Sequence, residues 1–121
     1  MTNASMDEKQ IEPIDLAGLQ NRYGKKSKIL LDMFDRDAGD NLQKLKKSIA
    51  EGDQQAFLFI VHGMKGICGS IYAHRLHQMC NRWEEAAHRS WDTIEMYVGE
   101  IENEFGVVIA FIQRTAPHLG D

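Results

Sequence analysis

The sequence predicts an all-α protein: an antiparallel four-helix bundle with a short extra helix at its N-terminal end. Three observations carry that expectation. The only two prolines, Pro13 and Pro117, stand near the ends of the 121 residues, so the interior lacks the residue that most strongly breaks helices. Between them apolar residues recur at spacings of three and four, the period of an amphipathic helix. No segment alternates as a strand would, and no internal repeat or low-complexity stretch interrupts the pattern.

Each element follows in order. Residues 1–12 are mostly polar and read as a flexible arm, and the bundle domain is expected over 13–116, with a tail at 117–121. Ile14, Leu16 and Leu19 suggest a short helix that enters through Pro13 and stops near Gly24. From Ser27 to Ile49 the apolar stripe is Leu30, Met33, Phe34, Ala38, Leu42, Leu45 and Ile49. Asp32, Asp35, Arg36, Lys46 and Lys47 fall on the outer side. Glu51-Gly52-Asp53 then punctuates the chain, Gly52 suited to end one helix and Asp53 to cap the next.

The third helix is expected from about Gln54 to Tyr72, burying Phe57, Val61, Met64, Cys68 and Ile71. A fourth begins near Ala73 and buries Leu76, Met79, Cys80, Trp83 and Ala87, although the break before it is weakly marked. Ser90 and Asp92 offer N-caps for a fifth helix with Ile94, Tyr97, Val98, Ile101, Phe105, Val108 and Ile112 inside. That helix ends before Pro117. Short connections between long amphipathic helices favour antiparallel neighbours.

Length and composition set bounds. A chain of this length builds one core. The net charge of -4 and pI near 5.7 argue against nucleic-acid binding, which normally needs a basic excess. The two cysteines, Cys68 and Cys80, lie on helical core positions and read as reduced, packed thiols. No apolar run reaches the roughly 20 residues that span a bilayer. The polar start shows no secretory h-region, so a cytoplasmic setting is expected. A monomer is expected because no long apolar stripe is left over.

The informative stretch is His62-Gly63-Met64-Lys65-Gly66-Ile67-Cys68-Gly69-Ser70. A glycine costs about 1 kcal/mol relative to alanine inside a helix, so three in so short a stretch require a reason. With Val61, Met64 and Cys68 turned inward, His62 lies roughly 130° from the centre of the core stripe, on the solvent face. Helical side chains lean over the preceding turn, so residues 65 and 66 cover the surface above His62. Position 66 has no side chain, and Gly69 extends the bare strip. Lys65 can bring its ammonium beside anything attached to the imidazole. Neutral histidine is a good nucleophile near pH 7, and a phosphoryl group on it would carry about two negative charges. The arrangement suits phosphoryl exchange with another protein.

The pattern His62-x-x-Lys65-Gly66, followed by Ile71-x-Ala73, Leu76, Cys80 and Trp83-Glu84, resembles the signature of histidine-phosphotransfer (HPt) domains of bacterial multistep phosphorelays. The resemblance covers roughly Ile14 to Ile112. It implies that His62 is the phosphoacceptor, that Lys65 stabilises the phosphoryl group, and that Gly66 keeps access open. Gly63, Gly69 and Ser70 would complete the partner-facing surface. The implied partner is a response-regulator receiver domain that supplies the phosphoaspartate and the Mg²⁺, with a hybrid sensor histidine kinase upstream. The module would then be a carrier with no ATP site, cofactor or metal of its own, either free-standing or the cytoplasmic C-terminal part of an inner-membrane sensor kinase. The chain departs from the pattern at Tyr72, where many members have glycine, and at Val61, where a small residue is common.

Other readings compete. Glu85-x-x-His88 has the spacing of di-iron bundle ligands, but no second such pair exists and a solvated pair is the plainer reading. His74 and His77 read as surface histidines. Arg75, Arg82, His88 and Arg89 give the fourth helix a basic side, either a solvated face or a rim for an acidic partner. A bundle acting only as an adaptor or dimerisation module is the remaining alternative, with Trp91 a possible interface anchor and Trp83 better explained by packing.

Overall fold

The computed structural model describes residues 12–119. Helix α1 spans Leu16–Tyr23, α2 Ser27–Ala50, α3 Gln54–Ser70, α4 His74–Arg89 and α5 Val98–Thr115. Short 3₁₀ segments stand at Gly24–Lys26, Trp91–Tyr97 and Ala116–His118. Helices α2 to α5 run up and down in turn, α3 packing most extensively on α4, and α2 on both α3 and α5. The arm expected at 1–12 lies, except for Glu12, outside the described residues. So do residues 120 and 121 of the expected tail.

The caps explain why the helices stop where they do. Asp15, not Pro13, caps α1, its carboxylate accepting from the Gly18 amide at 3.0 Å. Ile14 and Leu19, both fully buried, hold the two positions of a hydrophobic staple around that cap. Asp53 caps α3 through the Ala56 amide at 3.0 Å. Before it, Gly52 has φ 69°, and the Asp53 and Gly52 amides reach back to the carbonyls of Ser48 and Ile49. That is a Schellman ending, which satisfies the last carbonyls of α2. Ser90 does not cap with its side chain. Its carbonyl instead accepts from both the amide and the hydroxyl of Thr93, so the chain enters α5 through a 3₁₀ stretch and the helix starts later than its apolar pattern suggests.

The core is continuous through all five helices, with Trp83, Phe57 and Phe105 its largest fully buried side chains. Trp83 stacks on Phe105 with centroids 6.2 Å apart and donates its indole N–H to Glu100 at 2.8 Å. Arg75 grips the buried carboxylate of Glu104 through two bonds of 3.0 and 2.9 Å, and Arg82 pairs with Glu100. The basic side of α4 is therefore partly a clasp onto α5 rather than a wholly solvated face. The inner stripe of α2 also differs from expectation: Leu31 is fully buried, while Met33 is 46% exposed. The run Ile29-Leu30-Leu31 offers three apolar phases, and packing selects the last.

At the opposite end of the bundle from Gly52, α1 closes over the α3–α4 turn. The Asp15 amide donates to the Tyr72 carbonyl at 2.9 Å, and the Tyr23 hydroxyl donates to the Ser70 carbonyl at 3.1 Å. Helix α3 ends at Ser70, two residues earlier than expected. Tyr72 itself has φ 66°, the one described non-glycine residue with positive φ. Cys68 and Cys80 are both buried and free. The neighbouring Cys80 sulfur, together with burial, holds the Cys68 thiol far above its ordinary pKa, so it is an inert core group. Among the described residues, no helix is long and apolar enough to cross a membrane.

Candidate functional site

His62 sits mid-way along α3 with its side chain 69% exposed. Its neighbours Val61 and Met64 are buried, which fixes the rotational phase of the helix and turns the imidazole outward. The ring is not free to spin. Its Nδ1 lies 2.9 Å from Oε2 of Glu84 on α4. The other carboxylate oxygen, Oε1, accepts from Lys65 Nζ at 2.8 Å, and Lys65 also reaches Asn81 Oδ1 at 3.3 Å. One carboxylate thus holds both the imidazole and the ammonium.

The electrostatics assign the tautomer. Burial alone pushes the Glu84 carboxyl upward. The hydrogen bonds and charges of Lys65 and His62 together outweigh it, so Glu84 titrates below its ordinary value. An ionised carboxylate only accepts, so Nδ1 carries the proton and donates it to Glu84. In the neutral ring Nε2 then carries the lone pair, on the side of the ring away from Glu84. A carboxylate behind the ring raises the nucleophilicity of Nε2 and stabilises positive charge on the ring.

The glycines divide into two kinds. A Cβ at Gly63 or Gly66 would meet nothing within 4 Å, so both positions are open surface beside the imidazole. A Cβ at Gly69 would lie 3.4 Å from the His77 ring, so this glycine also makes room for α4. In that space His77 Nδ1 approaches the Lys65 carbonyl to 2.8 Å, donating to it across the two helices. His77 is accordingly half-buried and bonded, not the plain surface histidine that its spacing suggests. Ser70, at the end of α3, turns its hydroxyl back to the Gly66 carbonyl at 3.2 Å.

On the other flank of His62 lies a shallow hollow of ≈ 550 Å³, lined by Asn41 and Lys44 of α2, by Phe59, Gly63 and Ile67 of α3, and by Glu84. Phe59, one turn before His62, is 82% exposed, and with the partly exposed Ile67 in the same hollow it makes this flank of the imidazole apolar. Glu85 and His88 are both exposed, and among the described residues no three His, Cys, Asp or Glu side chains gather as a metal site. Reading the sequence alone assigns no role to Glu84, Asn81, His77 or Phe59. The signal for Glu84 is its place in the Trp83-Glu84 pair of the family signature, which names the residue without giving it a role.

Comparison with known proteins accords with this geometry. No curated protein matches the sequence. The solved structure of histidine-containing phosphotransfer protein B (HptB) from Pseudomonas aeruginosa PAO1 is similar, with a TM-score of 0.77 and 28% identity over 85% of this chain and 90% of that one. The family model described as "Hpt domain" matches residues 29–110. That match spans the bundle from α2 into α5 and includes the whole constellation around His62, and so the chain belongs to the Hpt domain family, the histidine-phosphotransfer modules of phosphorelay signalling.

Proposed function

We propose that His62 is the phosphoacceptor and that Nε2 is the atom that carries the phosphoryl group. The observation that supports this best is the fixed, exposed imidazole whose inner nitrogen donates to Glu84. The lone pair of Nε2 attacks the phosphorus of a receiver-domain aspartyl phosphate. A P–N bond forms while the P–O bond to the aspartate breaks, and the aspartate leaves as a carboxylate. No proton has to move: the ring keeps its Nδ1–H and becomes cationic, opposite the Glu84 carboxylate. Lys65 can trade Glu84 for a phosphoryl oxygen without leaving the site. Transfer in the reverse direction uses the same contacts.

The partner is a response-regulator receiver domain, which brings the Mg²⁺ with it, and a hybrid sensor histidine kinase lies upstream. The chain is a monomeric cytoplasmic carrier with no ATP site of its own. The receiver docks over Phe59, Gly63 and Gly66, the two glycines leaving open surface beside the imidazole. The test is incubation of the chain with a phosphorylated receiver and Mg²⁺, beside His62→Gln. Acid-labile, base-stable label on the wild type alone is expected. Label on neither protein, across a panel of receivers, would leave a non-transferring adaptor bundle as the better description.

A further inference from the structure

The bare strip of α3 does not end in open solvent. His62, Gly66 and Gly69 share one helix face, and beyond them lies a second hollow of ≈ 290 Å³ lined by Arg22, Tyr23, Gly66, Gly69, Ser70 and Tyr72. Its walls come from the end of α1 and from the α3–α4 turn. The Tyr23 hydroxyl is tied to the Ser70 carbonyl, and the Arg22 guanidinium stands 5.5 Å from the Tyr23 ring centroid. The phenols of Tyr23 and Tyr72 both lie close enough to Arg22 to push its pKa further up. Arg22 is exposed, and no ion pair joins it to a carboxylate among the described residues. A cation without a carboxylate partner among the described residues thus stands at the end of the path that leads away from the imidazole.

We propose that Arg22, with Tyr23 and Tyr72 beside it, is a second anchor for the receiver domain, taking an acidic side chain of that domain while His62 faces its aspartyl phosphate. This rests on the His62 reading above. Three considerations select the occupant. The hollow is continuous with the strip that gives access to His62. At about 1.5 Å per residue, Gly69 lies roughly 10 Å along the helix from His62, well inside a docking footprint of about 800 Å² on one partner. Finally, Mg²⁺ is bound by carboxylates, so the partner face carrying it is acidic, whereas this chain is itself net negative and must supply cations locally. An arginine beside two phenols offers a carboxylate the planar fork that suits it.

A rim charge acts on encounter and docking more than on chemistry. The experiment measures single-turnover transfer to the full chain as a function of the concentration of a phosphorylated receiver that the wild type accepts. Arg22→Ala is expected to raise the half-saturating concentration by about fivefold and Arg22→Glu by tenfold or more, with the limiting rate kept within about twofold. Arg22→Lys should recover part of the loss, and added salt should narrow the gap between wild type and Arg22→Ala. Unchanged thermal melting of both variants would separate docking from folding. Wild-type half-saturation in Arg22→Ala and Arg22→Glu, with transfer intact, would overturn the anchor and leave the His62 reading standing. A fall in the limiting rate with no change in half-saturation would overturn it too. No transfer to the wild type from any receiver would sink both.

Discussion

The two turns that bracket α3 have the same backbone design and opposite side-chain chemistry. After α2, Gly52 takes φ 69°, with the amides of Asp53 and Gly52 bonded to Ser48 and Ile49. After α3, Tyr72 takes φ 66°, with the amides of Ala73 and Tyr72 bonded to Cys68 and Gly69. Both are Schellman endings, whose left-handed residue is usually glycine. For an L residue with a side chain that conformation costs on the order of 1–2 kcal/mol. At position 52 nothing lies within 4 Å of where a Cβ would stand, so glycine is the whole solution. At position 72 the ring packs against Gly18 of α1 and edge-on to His74 at 5.8 Å. The strain is offset by a contact that holds α1 to the bundle. Strain that a structure retains for a purpose tends to gather near functional surfaces, and Tyr72 also lines the hollow of Arg22.

The comparison can be broken from either side. Tyr72→Ala keeps the left-handed residue and removes the ring, so it should cost the most, about 2–3 kcal/mol in urea unfolding. Gly52→Ala introduces strain without any packing in return, and a loss of about 1 kcal/mol is expected. Tyr72→Gly removes ring and strain together, so its net cost should stay under about 1 kcal/mol, while amide exchange in α1 speeds up. If Tyr72→Gly proved as damaging as Tyr72→Ala, the left-handed strain at this turn would be negligible.

The smallest effect concerns pH. Glu84 titrates below its ordinary value of 4.5 in the folded chain. Its contribution to stability is therefore complete above that value and is lost as pH falls through the lowered one. Glu84→Gln should flatten the acid limb of stability against pH. A variant with an unchanged acid limb would place that dependence elsewhere.

The same contrast explains what was legible beforehand. Glu51-Gly52-Asp53 announces its turn in composition, whereas Ile71-Tyr72-Ala73 contains no glycine, proline or asparagine, so the sequence pattern runs α3 two residues past its end at Ser70. His62, Lys65 and Gly66 lie within five residues of one helix, so spacing alone brings them together. Asn81, His77 and Glu84, the last named by the family signature but given no role there, reach the same place from α4. Their arrival depends on how two helices are set against each other, which no local pattern contains. In α2, Leu31 displaced Met33 because three successive apolar residues leave the helical phase open. Arg22 was invisible for a similar reason: its neighbours Ser70 and Tyr72 are far along the chain.

The bond from His77 to the Lys65 carbonyl gives α3 a key as well as a seat. Apolar packing resists separation of two helices far more than it resists a small roll of one against the other. A directional bond to a main-chain atom, seated in the notch left by Gly69, blocks that roll one turn away from His62. The bearing of the imidazole is thereby set before any partner arrives, so that on the proposed reading of His62 an aspartyl phosphate would meet a nucleophile already aimed.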